Sequence, residues 1–257
     1  MRLASWNVNS LKVRLPHVLD WLGARQPDVV CLQETKLEDP LFPVAALAEA
    51  GYQSIFAGQK TYNGVAILAR QPMQEVVRGI PGWADEQQRV LSATIGQTRV
   101  ICVYVPNGQS LESDKYHYKL EWLAALKQYL GGELSRWSRL AVLGDYNIAP
   151  TERDVYDPFA LQGSVLVSPA EREAFAGLLG LGLSDSFSLF GHDAPVFTWW
   201  DYRQGAFRRN LGLRIDHVLL SPALAERCTD WQVDLAERKR ERPSDHAPVW
   251  VDCPDDR

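Results

Sequence analysis

Short apolar runs, each ended by Asn, Asp, Glu or Gly, alternate along this chain with segments of helical periodicity. Arg2 to Trp6 reads as a strand. Leu11 to Arg25 reads as a helix, with Leu15, Val18, Leu19 and Leu22 on one face and Pro27 beyond its end. Asp28 to Gln33 is nearly continuous in apolar residues, the pattern of a strand covered on both faces. Asp39 and Pro40 predict the cap and first turn of another helix, and Gly51 its end. Gly64 to Arg70, Glu75 to Gly79, Val90 to Ile95 and Arg99 to Val105 follow as strands with little helix between them, so antiparallel neighbours are expected. A long helix over Ser113 to Leu130 carries Tyr116, Leu120, Leu123 and Leu130 along one side, with Gly131-Gly132 as its stop. After a strand at Arg139 to Gly144, Ser168-Pro169-Ala170-Glu171 forms a capping box. Strands at Arg214 to Leu220, Trp231 to Leu235 and Ala247 to Val251 finish the chain. These elements predict a layered α/β domain spanning residues 1–257, sheet packed on sheet with helices outside. The middle strands lack crossover helices, which argues against a purely doubly wound sheet.

Composition narrows the function more than the fold. Hydrophobic residues make up 46% and charged residues 23%, as in an ordinary globular protein. The net charge of -5 argues against coating nucleic acid by charge alone. It is compatible with an enzyme acting on nucleic acid, because phosphate chemistry uses carboxylate-bound cations that reverse the local sign. None of the four cysteines forms a Cys-x-x-Cys pair, so a zinc or redox site has little support. The opening MRLASWNVNS has no leader pattern, and no run suits a membrane span. A monomer in a reducing cytoplasm is the expectation.

Candidate chemistry sits at the ends of the apolar strands. Asn7, Glu34, the turn Gly144-Asp145-Tyr146-Asn147, Asp216 and Ser244-Asp245-His246 all lie there, and Tyr104 precedes the turn Val105-Pro106-Asn107-Gly108. Taken singly, an Asn or Asp at a strand end is a turn former, and a lone histidine is a packed one. Repetition changes the balance. Asp216, set inside an apolar strand, needs a partner because an unpaired buried carboxylate is costly. Carboxylate and amide oxygens without paired cysteines suit a hard cation such as Mg2+ or Mn2+. Such a cation, with a spare carboxylate or histidine to activate water, makes up the parts of a phosphodiester hydrolysis.

The runs WNVN, LQETK, YVPNG, GDYNIAPT, FTWWDYR, LRIDHVLL and PSDHAPV, in that order, resemble the exonuclease III type of abasic endonuclease, in the endonuclease/exonuclease/phosphatase superfamily. The likeness extends from Arg2 to about Cys253. It implies a four-layered α/β sandwich of the DNase I-like kind, two mixed β-sheets packed face to face and flanked by helices. It also implies a DNA repair nuclease that cuts on the 5′ side of abasic sites and has 3′-5′ exonuclease and 3′-end-cleaning activity. Residue by residue, it implies Glu34 as the main metal ligand, with Asn7 and Asp245 completing or supporting that site. Asp145 would orient or deprotonate the attacking water, aided by Asn147, and both count with His246 among possible metal contacts. Tyr104 would touch the scissile phosphate, and His246 would bind or polarise it, oriented by Asp216. Trp199, Leu213 and Ile215 fall where the family forms an apolar pocket for a flipped-out abasic sugar. Arg89 would touch the DNA strand. Lys115, Lys119, Arg203, Arg208 and Arg209 are expected phosphate contacts, or else a solvated surface. Two alternatives keep the fold: a different phosphodiester or phosphomonoester substrate, or a non-catalytic nucleic-acid-binding regulator.

Overall fold

The computed structural model describes residues 1–254. Two six-stranded mixed sheets pack face to face. The first contains β1 (Arg2–Asn7), β2 (Val29–Gln33), β3 (Gln53–Ala57), β4 (Val65–Ala69), β11 (Asp230–Val233) and β12 (Val249–Asp252), in the order β11-β12-β1-β2-β4-β3. The second contains β5 (Met73–Arg78), β6 (Val90–Ile95), β7 (Thr98–Tyr104), β8 (Leu140–Asp145), β9 (Ser184–Asp185) and β10 (Asp216–Leu220), in the order β5-β6-β7-β8-β10-β9.

Each sheet is built around one parallel pair. β1 and β2 are joined by the crossover helix α1 (Leu11–Arg25), and β7 and β8 by α3 (Asp114–Arg136). Antiparallel partners flank each pair: β12 beside β1, and β10 beside β8. The four parallel strands end in Asn7, Gln33, Tyr104 and Asp145, so their last residues and the loops beyond them share one rim.

Period-two alternation explains the layers, because successive side chains of a strand face opposite ways. In β2, Cys31 faces the second sheet while Val30 and Leu32 pack under α1 and α2 (Val44–Glu49). In β7, Cys102 faces the first sheet while Ile101 and Val103 pack under α3 and α5 (Pro169–Leu179). Both faces are covered, which is why these strands read as continuous apolar runs. Two short α-helices, α4 (Pro158–Leu161) and α6 (Pro222–Ala225), lie between the longer elements. The capping box at Ser168 is present, with Pro169 opening α5.

Some boundaries differ from those the sequence predicts. The helix expected from Asp39 to Gly51 is broken into a 3-10 turn at Asp39–Leu41 and α2, with extended Phe42 between them. Phe42 precedes Pro43, and a residue before proline is pushed out of the helical region. Gly131-Gly132 does not stop α3, which continues to Arg136. The extra turn is held by tertiary contacts: Leu130 is buried, and buried Glu133 accepts a 2.5 Å bond from Arg99 Nε. β3 and the two-residue β9 are additional strands.

Candidate active site

Asn7 closes β1 with its side chain fully buried. Its Nδ2 donates to Glu34 Oε1 at 2.8 Å and to Asp145 Oδ2 at 2.9 Å, one carboxylate from each sheet. Its Oδ1 accepts from the Asn9 amide at 3.0 Å. Asn7 therefore brings two acids together by donating to both. Glu34 follows β2 in a left-handed conformation, φ 51°. This turn aims the side chain into the rim, and Lys36 Nζ sits 2.9 Å from Glu34 Oε2.

Asp145 closes β8 and lies opposite Asp216, the first residue of β10, in the strand register. The Asn147 amide donates to Asp145 Oδ1 at 2.9 Å, an Asx turn that also explains the left-handed Asn147, φ 48°. His246 Nδ1 lies 2.9 and 3.1 Å from the two oxygens of buried Asp216, and His246 Nε2 faces Asp145 Oδ2 at 3.7 Å. The buried carboxylate of Asp216 thus has the partner its strand position demands.

Ligand atoms of Glu34, Asp145 and His246 all lie within 4.8 Å of one another. The two carboxylates, bridged by a neutral amide, fit a divalent cation, and the imidazole stands beside them. Asp245 stands beside this trio: its Oδ2 accepts from Trp199 Nε1 at 2.9 Å and its Oδ1 from Asn9 Nδ2 at 3.0 Å. Lys36 closes the ring between Glu34 and Asn9 Oδ1, 2.5 Å away.

Burial and charge separate the acid–base character of these groups. Burial pushes Asp145 up to about 7, with His246 opposing and Asp216 and Glu34 adding to the rise. Burial alone would lower His246, but Asp216, Asp145 and Asp245 raise it to about 10. Burial would raise Asp245, yet His246, Trp199 and Asn9 hold it below the usual carboxylate range. Tyr104 is pushed well above its ordinary value by burial beside Glu34 and Asp145, so its hydroxyl stays protonated.

The remaining predicted residues divide into three groups. Trp199 and Leu213 line a cavity of about 440 Å³ with Leu166, Val167 and Leu211, and Ile215 packs behind them as core. Antiparallel bridges link Trp199 to both Leu213 and His246, which ties this pocket to the acidic trio. Arg89 is mostly buried, with its guanidinium 4.7 Å above the Tyr104 ring and bonded to the Tyr104 carbonyl at 3.1 Å. Lys115 lines a second groove with Tyr62, Gln109 and Tyr118. Arg203, Arg208 and Arg209 are exposed. Lys119 is neither a solvated cation nor free for phosphate: it has no exposed surface and is paired to Glu171. Asn9 and Lys36 join the site without being strand-end candidates, and Asn107 and Ser244, expected only as neighbours in the turns, bond directly to site residues. Ser244 Oγ donates to the Asn7 carbonyl at 2.7 Å, and Asn107 Nδ2 donates to Asn147 Oδ1 at 3.0 Å. Their sequence signal is adjacency to a selected residue within the same short motif.

The sequence model of the endonuclease/exonuclease/phosphatase family matches residues 4–246. Exodeoxyribonuclease III of Haemophilus influenzae is 38% identical, over 98% of this chain and 99% of its own. The 3′ phosphatase NExo from Neisseria, solved bound to a product DNA hairpin, superimposes with a TM-score of 0.97 at 47% identity over 99% of both chains. An AP endonuclease from Archaeoglobus fulgidus does so with a TM-score of 0.95 at 38% identity, over 98% of this chain and 99% of its own. With the match spanning nearly the whole chain and the strand-end residues gathered at one rim, this protein belongs to the endonuclease/exonuclease/phosphatase family, in its exonuclease III and AP endonuclease branch.

Proposed function

We propose that the protein is a DNA repair hydrolase that cleaves the phosphodiester on the 5′ side of abasic sites in duplex DNA and also processes 3′ ends, as exonuclease and phosphatase, with Mg2+ or Mn2+. The observation that carries this reading is the convergence of Glu34, Asp145 and His246 beside the pocket faced by Trp199 and Leu213. The three activities share one chemistry. In each, water attacks phosphorus and the 3′ oxygen of a nucleotide leaves.

Glu34 is the principal metal ligand in this proposal, with Asp145 alongside and Asn7 and Asp245 supporting the site. The cation, when bound, neutralises phosphate charge and stabilises the departing 3′ oxygen. Asp145, raised toward neutrality by burial, has the basicity to take a proton from the attacking water, and Asn147 fixes its orientation. His246, kept protonated by Asp216, presents a cationic donor to a phosphate oxygen. The protonated Tyr104 hydroxyl donates to the same phosphate, and Arg89 acts through the Tyr104 ring and carbonyl. Trp199 and Leu213, backed by Ile215, accept a sugar that lacks its base, which is cheap to extrude and small enough for an apolar pocket. Lys115, Arg203, Arg208 and Arg209 supply cations for strand phosphates around an otherwise acidic site.

The test uses a labelled duplex holding one abasic site, a matched intact duplex and a duplex ending in a 3′-phosphate. Each is incubated with Mg2+, Mn2+ or EDTA. Metal-dependent incision 5′ to the abasic site, leaving a 3′-hydroxyl, is expected. Intact abasic duplex under every divalent-metal condition would end the proposal for that lesion, and release of phosphate alone would restrict the protein to 3′ ends.

A further inference from the structure

The Lys119 ammonium lies on the core-facing side of α3 and has three donors and three acceptors. It donates to the Asn147 carbonyl at 2.6 Å, to the Asn107 carbonyl at 3.2 Å, and to Glu171 Oε1. Glu171, equally buried, fills its remaining capacity with the third loop. Its Oε1 accepts from the Leu166 amide at 3.0 Å, and its Oε2 from the Ser168 amide at 3.0 Å and Ser168 Oγ at 2.7 Å. Since Ser168 Oγ donates to Glu171, the Tyr116 hydroxyl 2.6 Å away must donate to Ser168.

These contacts converge on the loops that shape the rim. Asn107 follows Tyr104, Asn147 follows Asp145, and Leu166 lines the Trp199 pocket. Asn147 is left-handed, and its amide and Nδ2 bond Asp145 Oδ1 and Oδ2 at 2.9 and 3.3 Å, while Nδ2 also reaches the Val105 carbonyl at 3.0 Å. The peptide that Lys119 grips therefore belongs to the residue that aims Asp145. Packing is tight on the Asn107 side as well: a Cβ on Gly108 would lie 3.3 Å from Lys119 Cδ and 3.1 Å from Val165 Cγ2.

Stability is a poor reason for such a pair. Replacing a buried ion pair by apolar side chains is often neutral or stabilising, whereas removing one partner is costly. What an apolar residue cannot do is donate to two loop carbonyls at once. We propose that Lys119, aimed by Glu171, is a positioning residue that fixes the Asn107 and Asn147 turns and through them the orientation of Asp145. The catalytic part of this inference rests on the nuclease reading above, and the conformational part does not.

The test compares the full-length wild type with Glu171→Gln, Lys119→Met and the double variant K119M/E171Q. Glu171→Gln keeps the ammonium. The double variant removes it without leaving an unpaired carboxylate, so it carries the test if Lys119→Met fails to fold. Amide hydrogen exchange, read without substrate, is expected to accelerate about tenfold or more at residues 105–109 and 145–149 when Lys119 is lost, and by less in Glu171→Gln, which keeps the donor but leaves it without its carboxylate. Cleavage of an abasic duplex with Mg2+ is expected to show kcat lower by about tenfold or more, with KM within about threefold, in both variants lacking Lys119, and a smaller kcat loss in Glu171→Gln. Unchanged exchange would overturn the proposal. So would accelerated exchange with unaltered kcat, or a double variant restored to wild-type exchange and kcat, which would trace the effect to an unpaired buried charge. A wild type that cleaves neither abasic nor 3′-phosphate DNA would instead end the nuclease reading, while exchange still decides whether Lys119 holds the two turns.

Discussion

Both carboxylate oxygens of Asp216 lie within 3.1 Å of His246 Nδ1, and neither group has exposed surface to speak of. Asp216 opens β10 of the second sheet, and His246 leads into β12 of the first. The contact therefore spans the two sheets and fixes which ring nitrogen is left to face the cleft. Asp216→Asn keeps the shape but removes the charge that holds the imidazole protonated. We expect kcat to fall by about 100-fold or more, with DNA affinity changed much less, because a cationic donor at phosphate acts in the transition state. Single-turnover cleavage alongside a binding isotherm in EDTA checks this.

The same pairing predicts how His246 titrates. Burial would depress it, but Asp216, Asp145 and Asp245 raise it from 6.5 to about 10. Its folded value lies above its unfolded one, so its stabilising contribution is complete below pH about 6.5 and is lost as pH rises through about 10. In metal-free protein, the His246 ring signals in heteronuclear NMR should remain those of imidazolium through neutrality. A midpoint near 6.5 would contradict the assigned partners.

The sequence made the strands and most of the rim legible for one physical reason. Strands covered on both faces appear as unbroken apolar runs, and their polar terminal residues, Asn7, Glu34 and Asp145, stand out against them. What a linear reading lacks is the distance between strands: the opposition of Asp145 to Asp216 is a register, visible only in the sheet. A lysine on a helix normally reads as solvated, yet Lys119 is buried. Its position gives it away, since it lies three residues after Tyr116 and four before Leu123 on the buried stripe. Gly131-Gly132 predicts the end of α3 but is a weak stop against the tertiary grip of Arg99 on Glu133. Ile215, expected at the pocket wall, packs in the layer behind it.

Arg214 sits between the pocket residue Leu213 and the core residue Ile215 and is itself buried. It donates to Asp154 Oδ1 at 2.6 Å and Asp185 Oδ2 at 2.8 Å. Arg214→Met would leave two buried carboxylates without their cation. We expect a loss of about 3–5 kcal/mol in unfolding free energy, the range for breaking a buried pair, measured by urea denaturation. A change below about 1 kcal/mol would mean these acids find other partners, contrary to the network described.

Leu213 offers its side chain to the cavity beside Trp199. Leu213→Ala enlarges the pocket by apolar volume, so kcat/KM on an abasic duplex should fall by about 10- to 200-fold, the discrimination an apolar pocket gains from small changes in fit. Removal of a 3′-phosphate, which needs no extruded sugar, should fall less. Equal losses on the two substrates would separate this pocket from recognition of the abasic sugar.

The central relationship is that Glu34 and Asp145 hold one divalent cation, with the His246 imidazolium beside it facing the phosphate. Anomalous diffraction at the manganese edge, from Mn2+-soaked crystals of the wild type and of Glu34→Gln, tests it most directly. A peak within coordination distance, about 2 Å, of a Glu34 carboxylate oxygen is expected in the wild type, at the rim shared by the two sheets, and is expected to vanish in Glu34→Gln. A peak of equal strength in both proteins, or manganese bound only elsewhere on the molecule, would contradict it.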